Sequence, residues 1–179
     1  MKKIAGLFLA GCILLTSTNH VLAETQAKSV TFTLGGGSYY FSPKRHIDNT
    51  NVGFGALGYN FTSHWGVEAL LGFFNTDSHK VEDNGKQVNG TLFVFDGAYH
   101  FNSFHSFDPY IMAGPGVIGL HPNGTDANNE GNVNVGLGVQ YFVDKLIALR
   151  IEGRDLYTFV GKKNDYFVDA AVTLFLGVC

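Results

Sequence analysis

The stretch Asn132-Val133-Asn134-Val135-Gly136-Leu137-Gly138-Val139-Gln140-Tyr141 decides the fold. Its odd-numbered residues, Val133, Val135, Leu137, Val139 and Tyr141, are apolar, and its even-numbered ones are Asn, Gly or Gln. Successive side chains of a strand point to opposite faces, so this period of two gives one apolar face and one polar or small face. A helix would need its apolar residues three and four apart. The pattern returns near the C-terminus, where Val168, Ala170, Val172, Leu174 and Leu176 alternate with Asp169, Ala171 and Thr173. It is also present early, where Val30, Phe32 and Leu34 alternate with Ser29, Thr31 and Thr33.

Working outward from these stretches, eight segments read as strands: about 28–41, 51–61, 65–75, 88–101, 109–120, 132–142, 146–157 and 166–177. Lengths of roughly 10–14 residues suit tilted strands that cross a bilayer. The connectors alternate too. Thr62 to His64, Asn102 to Asp108 and Val143 to Lys145 are short. Ser42 to Thr50, Thr76 to Gln87, His121 to Gly131 and Thr158 to Asp165 are mostly longer and more polar. Short turns at one end and long loops at the other are the topology of an outer-membrane barrel, with the short turns periplasmic. Phe61, Trp65, Tyr99, Phe101, Tyr141 and Tyr157 fall near strand ends, where interfacial girdles sit. The expected fold is all-β: one eight-stranded antiparallel up-and-down transmembrane β-barrel.

Composition agrees. The 179 residues are 45% apolar and only 15% charged, against about 25% charged in soluble domains. Gly (23), Phe (16) and Tyr (8) are abundant, which suits strands and turns better than helices. The net charge is −3, and basic residues form no patch longer than the pairs Lys44-Arg45 and Lys162-Lys163. Nucleic acid is therefore not an expected partner. A soluble lipocalin-type barrel would show the same alternation with its faces reversed. The scarcity of charges inside strands, and their place opposite the apolar face, favour the membrane.

The N-terminus reads as an export signal. Lys2 and Lys3 supply the positive region, Ile4 to Leu15 the apolar region, and Val21-Leu22-Ala23 a small-residue cleavage site before Glu24. The domain division is therefore a signal peptide over 1–23 and a barrel domain over 24–179. Leu9-Ala10-Gly11-Cys12 offers a competing lipobox in which Cys12 would be acylated. After cleavage at Ala23, Cys179 would be the one cysteine left and no internal disulfide could form.

The segments Pro109-Tyr110-Ile111-Met112-Ala113-Gly114-Pro115-Gly116-Val117 and Leu149-Arg150-Ile151-Glu152-Gly153-Arg154-Asp155-Leu156-Tyr157, with the signal, resemble the OmpA-like small outer-membrane β-barrel superfamily. The resemblance runs from residue 28 to about 178. One departure is that the chain stops after the barrel, so that the peptidoglycan-binding domain of full-length OmpA proteins is not expected. The other is the ending. Such barrels commonly end in an aromatic residue, whereas this chain ends in Cys179, with Phe175 the nearest aromatic.

With the apolar faces on lipid, the interior receives Glu68, Asp96, Gln140, Arg150, Glu152, Arg154 and Asp169. The six charged residues form the candidate site, a barrel-interior charge network. Arg150, Glu152 and Arg154 are two apart and share a face, where carboxylates of other strands can pair with them. A packing network that fills the narrow lumen is the first reading, a gated path for ions or solutes the second, and a hydrolytic carboxylate pair the third. No catalytic residue is assigned. His105-Ser106 is the one His-Ser pair in that order and falls in a short turn without a third group. The glycine clusters 35–37, 114–116 and 136–138 precede no helix, so no nucleotide fingerprint is present. No cofactor and no metal site is expected. His46, His79 and His121 fall in different loops and read most simply as solvated residues. Pro115 cannot donate to a sheet ladder and should mark a bulge or a strand end.

The sequence therefore points to a non-enzymatic integral protein of a Gram-negative outer membrane, with both mature termini periplasmic. Its expected role is an envelope scaffold with surface-exposed loops. The alternatives are a small gated channel and a soluble secreted ligand-binding barrel. Expected partners are outer-membrane lipid, the outer-membrane assembly machinery and an extracellular ligand of the long loops.

Overall fold

Alternation of this kind leaves one question for the structure, which face turns inward. The computed structural model describes residues 25–78, 87–122 and 128–177. Eight strands follow one another: β1 (Ser29–Tyr40), β2 (Thr50–Asn60), β3 (Trp65–Asp77), β4 (Gln87–His100), β5 (Phe107–Pro122), β6 (Asn128–Asp144), β7 (Ile147–Thr158) and β8 (Lys163–Gly177). Each pairs antiparallel with the next, and β1 pairs with β8, so the sheet closes. Closure leaves no unpaired edge, which is the condition for a sheet to cross lipid. Among the described residues the only helical element is a 3-10 turn at Pro43–Arg45, and none of their helices is long and apolar enough to span a membrane.

The apolar face of β6 points outward. Val133, Val135, Leu137 and Tyr141 are exposed, with Leu137 at 68%, while Asn132, Asn134 and Gln140 are buried. The same holds for β8, where Val168, Val172, Leu174 and Leu176 face out and Asp169, Ala171 and Thr173 face in. A belt of exposed Leu, Val, Ile and Phe around a closed barrel makes sense only in an apolar solvent. Aromatic side chains mark its lower margin. Trp65 packs on Tyr99 at 4.8 Å, Tyr99 on Phe101 at 5.3 Å and Phe107 on Tyr141 at 5.0 Å.

The connections differ from expectation at one end. At the end holding the turns after β2, β4 and β6, called here the turn end, they are short as expected. At the opposite, loop end, two connections shrink. β5 runs to Pro122 and β6 starts at Asn128, while β7 and β8 are joined by Phe159–Lys162 alone. His121 is consequently a strand residue, and His79 lies outside the described residues, so three converging loop histidines are not seen. The polar residues that read as loop are ladder residues instead: Asn128 and Asn129 pair with Leu120 and Gly119, and Asn164 and Asp165 pair with Tyr157 and Leu156. Pro115 likewise ends nothing. The β4–β5 ladder skips from Val94↔Gly116 to Gly97↔Ala113 and resumes in the same register.

Inside, the loop-end half of the barrel is apolar, which the sequence reading did not anticipate. Tyr39, Phe41, Phe54, Leu70, Phe74, Leu92, Ile118, Leu156 and Phe167 form one buried cluster. Rings fit a lumen this narrow by lying over glycine. A Cβ on Gly90 would meet the Phe74 ring at 2.0 Å. Phe175, the nearest aromatic to the chain end, also turns inward and packs on Phe142 at 5.1 Å. The ranges 1–24 and 178–179, with the signal, Cys12 and Cys179, lie outside the described residues.

Because Leu137 sits mid-strand on the outer face, Leu137→Arg should cost roughly 2–4 kcal/mol of stability in lipid vesicles. Leu137→Ala should cost far less, since lipid closes over the gap. Urea titrations in vesicles compare the two. Equal stability of the variants would place this face in water.

Candidate functional site

The middle of the lumen is crossed by charge. Arg150, Glu152 and Arg154 project inward from β7, Glu68 from β3, Asp96 from β4 and Asp169 from β8. β7 and β3 lie four strands apart in the ring of eight, so they stand opposite each other. Arg150 spans the lumen with a fork, its Nη1 donating to Glu68 Oε2 at 2.6 Å and its Nη2 to Glu68 Oε1 at 3.0 Å. Its Nη2 also lies 3.1 Å from Glu152 Oε2. Arg154 pairs with Asp96, with Glu152 at 3.2 Å and with Glu68 at 3.5 Å. Tyr110 donates to Glu152 Oε1 at 2.6 Å, and Asn134 to Asp96 Oδ1 at 2.7 Å. The ladder itself sets Glu68 opposite Asp96. Like charges facing across a strand pair repel, and the guanidiniums reaching from the far wall offset that repulsion.

The structure therefore brings together five of the six residues read from the sequence: Glu68, Asp96, Arg150, Glu152 and Arg154. Asp169 faces the same space, but neither of its carboxylate oxygens has a hydrogen-bond partner. It is Glu152's ladder neighbour. Both guanidiniums are already engaged by Glu152 and lean away toward β3 and β4, so none is left for Asp169.

Two further closures were not read from the sequence. At the loop end, the chain after β1 folds inward and buries Arg45, 2% exposed. Its Nε donates to both oxygens of Asp165 at 3.0 and 2.9 Å, its Nη1 to Glu130 at 2.7 Å and its Nη2 to Thr158 at 2.8 Å. Lys163 donates to the other oxygen of Glu130 at 2.7 Å, and Asp165 also accepts from Tyr39 at 3.1 Å and from the Ser42 amide at 2.8 Å. Burial opposes the Arg45 charge, but Asp165 and Glu130 outweigh it and hold the guanidinium above its ordinary pKa. Charges in a loop read as solvated, and nothing in the sequence around Arg45 marks it as turned inward.

At the turn end, the segment before β1 enters the mouth. Thr25, 2% exposed, donates to Asp108, which also pairs with His100 Nδ1 at 2.8 Å. The His100 ring stacks on Tyr110 at 5.1 Å. Between this latch and the charge network lies a small polar cavity of about 30 Å³ lined by Thr31, Glu68, Gln140, Arg150 and Thr173, among others.

The chemistry-bearing residues elsewhere are placed as connectors. His105 caps the β4–β5 turn with a φ of 56°, its ring against Phe104 at 4.2 Å. Ser63 is 3.1 Å from His64 Nδ1, and His64 Nε2 is 3.2 Å from Asn102, which ties the β2–β3 turn to the β4–β5 turn. Among the described residues no group of three His, Cys, Asp or Glu is arranged to hold a metal ion.

A closed, outward-apolar barrel has counterparts among known proteins. The model of the outer membrane protein β-barrel domain family matches residues 8–176. The chain belongs to that family. No curated protein matches significantly. Among solved structures, the N-terminal β-barrel domain of Pseudomonas aeruginosa OprF is similar with a TM-score of 0.65 and 18% identity, over 84% of this chain and 98% of that one. The Yersinia pestis attachment invasion locus protein Ail gives 0.60 and 11%, over 84% and 100%. The Pseudomonas aeruginosa outer membrane protein OprG gives 0.61 and 14%, over 87% and 100%. At these identities the likeness is one of fold: a closed antiparallel transmembrane β-barrel.

The ion pairs predict opposite outcomes for two substitutions in this barrel. Arg154→Met should lower stability by about 3–5 kcal/mol, because it leaves buried carboxylates facing one another. Asp169→Asn should raise the urea midpoint, because it removes a buried charge that has no partner. A lowered midpoint for Asp169→Asn would mean that Asp169 is paired after all.

Proposed function

We propose that this barrel is a non-enzymatic structural protein of the outer membrane of a Gram-negative bacterium, closed to bulk flow, with the mature chain running over 24–179 after removal of the signal. The observation that carries this reading is the wall-to-wall crossing of the lumen by Arg150 to Glu68, backed by the Arg45 cap on one side and the Thr25 latch on the other. A tube crossed at three depths by buried ion pairs and hydrogen bonds is a strut rather than a pore. Eight strands leave room for side chains and little more.

The turn end, with both termini, belongs in the periplasm, where short turns are the rule, and the loop end outside. The outward belt meets outer-membrane lipid. The envelope assembly machinery inserts the barrel, and the connection between β1 and β2 offers a surface for an extracellular ligand.

A gated channel is the second reading. It is favoured by the polar cavity beneath the network and by four interior carboxylates set against two guanidiniums. Planar-bilayer recording separates the two. The wild-type chain should carry almost no current, and the variant Arg150→Ala with Arg154→Ala should carry more, since it removes the bars across the lumen. Wild-type conductance of an open pore, unchanged in that variant, would replace the strut with the channel.

A further inference from the structure

The loop-end rim is not uniform. Where β1, β7 and β8 meet, outward aromatic side chains stand at the margin of the lipid belt. Tyr40 faces Tyr166 across the β1–β8 ladder, both about half exposed, and Tyr157 packs edge-on against Phe159 at 5.9 Å. The turn above them, Phe159–Lys162, carries two bare apolar side chains at its tip, with Phe159 and Val160 each 60% exposed. A four-residue turn that faced only water would be expected to carry polar residues.

Two ammonium groups are held beside this tip. Lys44 donates through Nζ to the Lys162 carbonyl at 2.9 Å, which pins the segment after β1 to the β7–β8 turn. Lys162 is kept in the left-handed region at φ 48°, next to Gly161 at φ 74°. Both lysines are exposed. Neither forms an ion pair among the described residues, because the nearby carboxylates are already taken: Asp165 by Arg45, and Glu130 by Arg45 and Lys163. Asp155, lower on the outer face of β7, is bonded by Asn164 at 3.4 Å. Among the described residues, this sector of the rim thus holds two ammonium groups without a carboxylate partner.

Height decides what they meet. Lys163 is three residues beyond Tyr166, which is roughly 7–10 Å above the girdle for a tilted strand rising about 3.3 Å per residue. The polar layer on each side of a bilayer is about 5–8 Å deep. Lys162, and Lys44 bonded to its carbonyl, therefore stand at the outer edge of the headgroup layer, within reach of lipid phosphates, while the Phe159 ring packs back down on Tyr157.

We infer that Lys44 and Lys162, with Phe159, form a site for a phosphate-bearing lipid of the outer leaflet, the ammonium groups on its phosphate and the Phe159 ring, held on Tyr157, against its acyl chains. The inference rests on the membrane orientation proposed above. Lipid rather than soluble phosphate is the ligand because the site joins charge to bare apolar surface.

The test uses the refolded chain in phosphatidylcholine vesicles with and without added phosphatidylglycerol. Heat-modifiable migration on a gel scores insertion separately from lipid binding. The anionic lipid should raise the wild-type unfolding midpoint by roughly 4–8 °C, at about one lysine's worth of surface attraction per ammonium. The double variant Lys44→Gln with Lys162→Gln should insert equally well and lose that gain. In a Trp65→Phe background, Phe159→Trp should be quenched by brominated lipid. A gain retained by the double variant, or an unquenched Trp at 159, overturns the site. A gain reproduced by inorganic phosphate in phosphatidylcholine alone overturns the lipid assignment. Failure to insert in either vesicle would strike the membrane reading itself, and this site with it.

Discussion

Lipid offers no hydrogen bonds, so every N–H and C=O of a wall that crosses it must be met within the protein. That requirement closes the sheet, and a sheet of eight strands that closes has a lumen only as wide as its side chains. Everything else in the barrel follows from those two limits. The outer face is freed from packing and needs only to be apolar. The inner face has to fill a narrow cylinder without leaving a charge alone. Asp169 apart, this chain meets the second demand in layers: an ionic cap at Arg45, an aromatic and aliphatic layer around Phe54, Phe74 and Phe167, a charged layer at Arg150 and Arg154, and a polar latch at Thr25.

The layers explain which residue types appear. Arginine serves in the charged layer because a planar fork can hold two carboxylates from opposite walls at once, which a lysine ammonium does less well. Arg150 does so between Glu68 on β3 and Glu152 on its own strand. A buried pair of this kind adds little over well-packed apolar residues, but losing one partner is costly. The network therefore fixes which strands face each other across the lumen more than it adds stability. Asp169, the carboxylate left out, is where that arrangement is least satisfied.

Much of this was legible in the sequence. In β6 and β8 one face is apolar and the other is not, so the direction of their side chains could be read from parity, and on β7 the apolar Leu149 and Ile151 give the inward turn of Arg150, Glu152 and Arg154. In β3 it could not. Leu70, Leu71, Phe73 and Phe74 are all apolar, and only the fold tells that Leu70 and Phe74 are core while Leu71 and Phe73 meet lipid. The apolar half of the lumen was hidden for this reason. The cap was hidden for another. Arg45, Glu130 and Asp165 are far apart in sequence and lie near strand ends, where a charge is ordinarily solvated. Only the inward fold of the chain after β1 makes them one cluster. Asp169 shows the opposite limit: parity gave its direction correctly but could not say that both guanidiniums would be engaged elsewhere.

The wall and the lumen are also coupled at one point. Pro115 has no N–H to give, and the β4–β5 ladder lapses where it stands opposite Phe95. The strands nevertheless stay close, since a Cβ on Gly114 would lie 1.9 Å from the Phe95 carbonyl oxygen. What occupies the inner side of the lapse is Asn134 of β6, whose Nδ2 donates to the Gly114 carbonyl at 3.1 Å and to Asp96 at 2.7 Å. Asp96 in turn holds Arg154. One side-chain amide thus supplies a donor beside the defect in the wall and anchors the charge network that bars the lumen. A proline that would weaken an isolated hairpin is tolerated here because the interior it borders is polar at that height. Had the aromatic layer stood there instead, the carbonyl of Gly114 would have lost its side-chain donor, and backbone left unpaired at membrane depth is what a barrel exists to avoid.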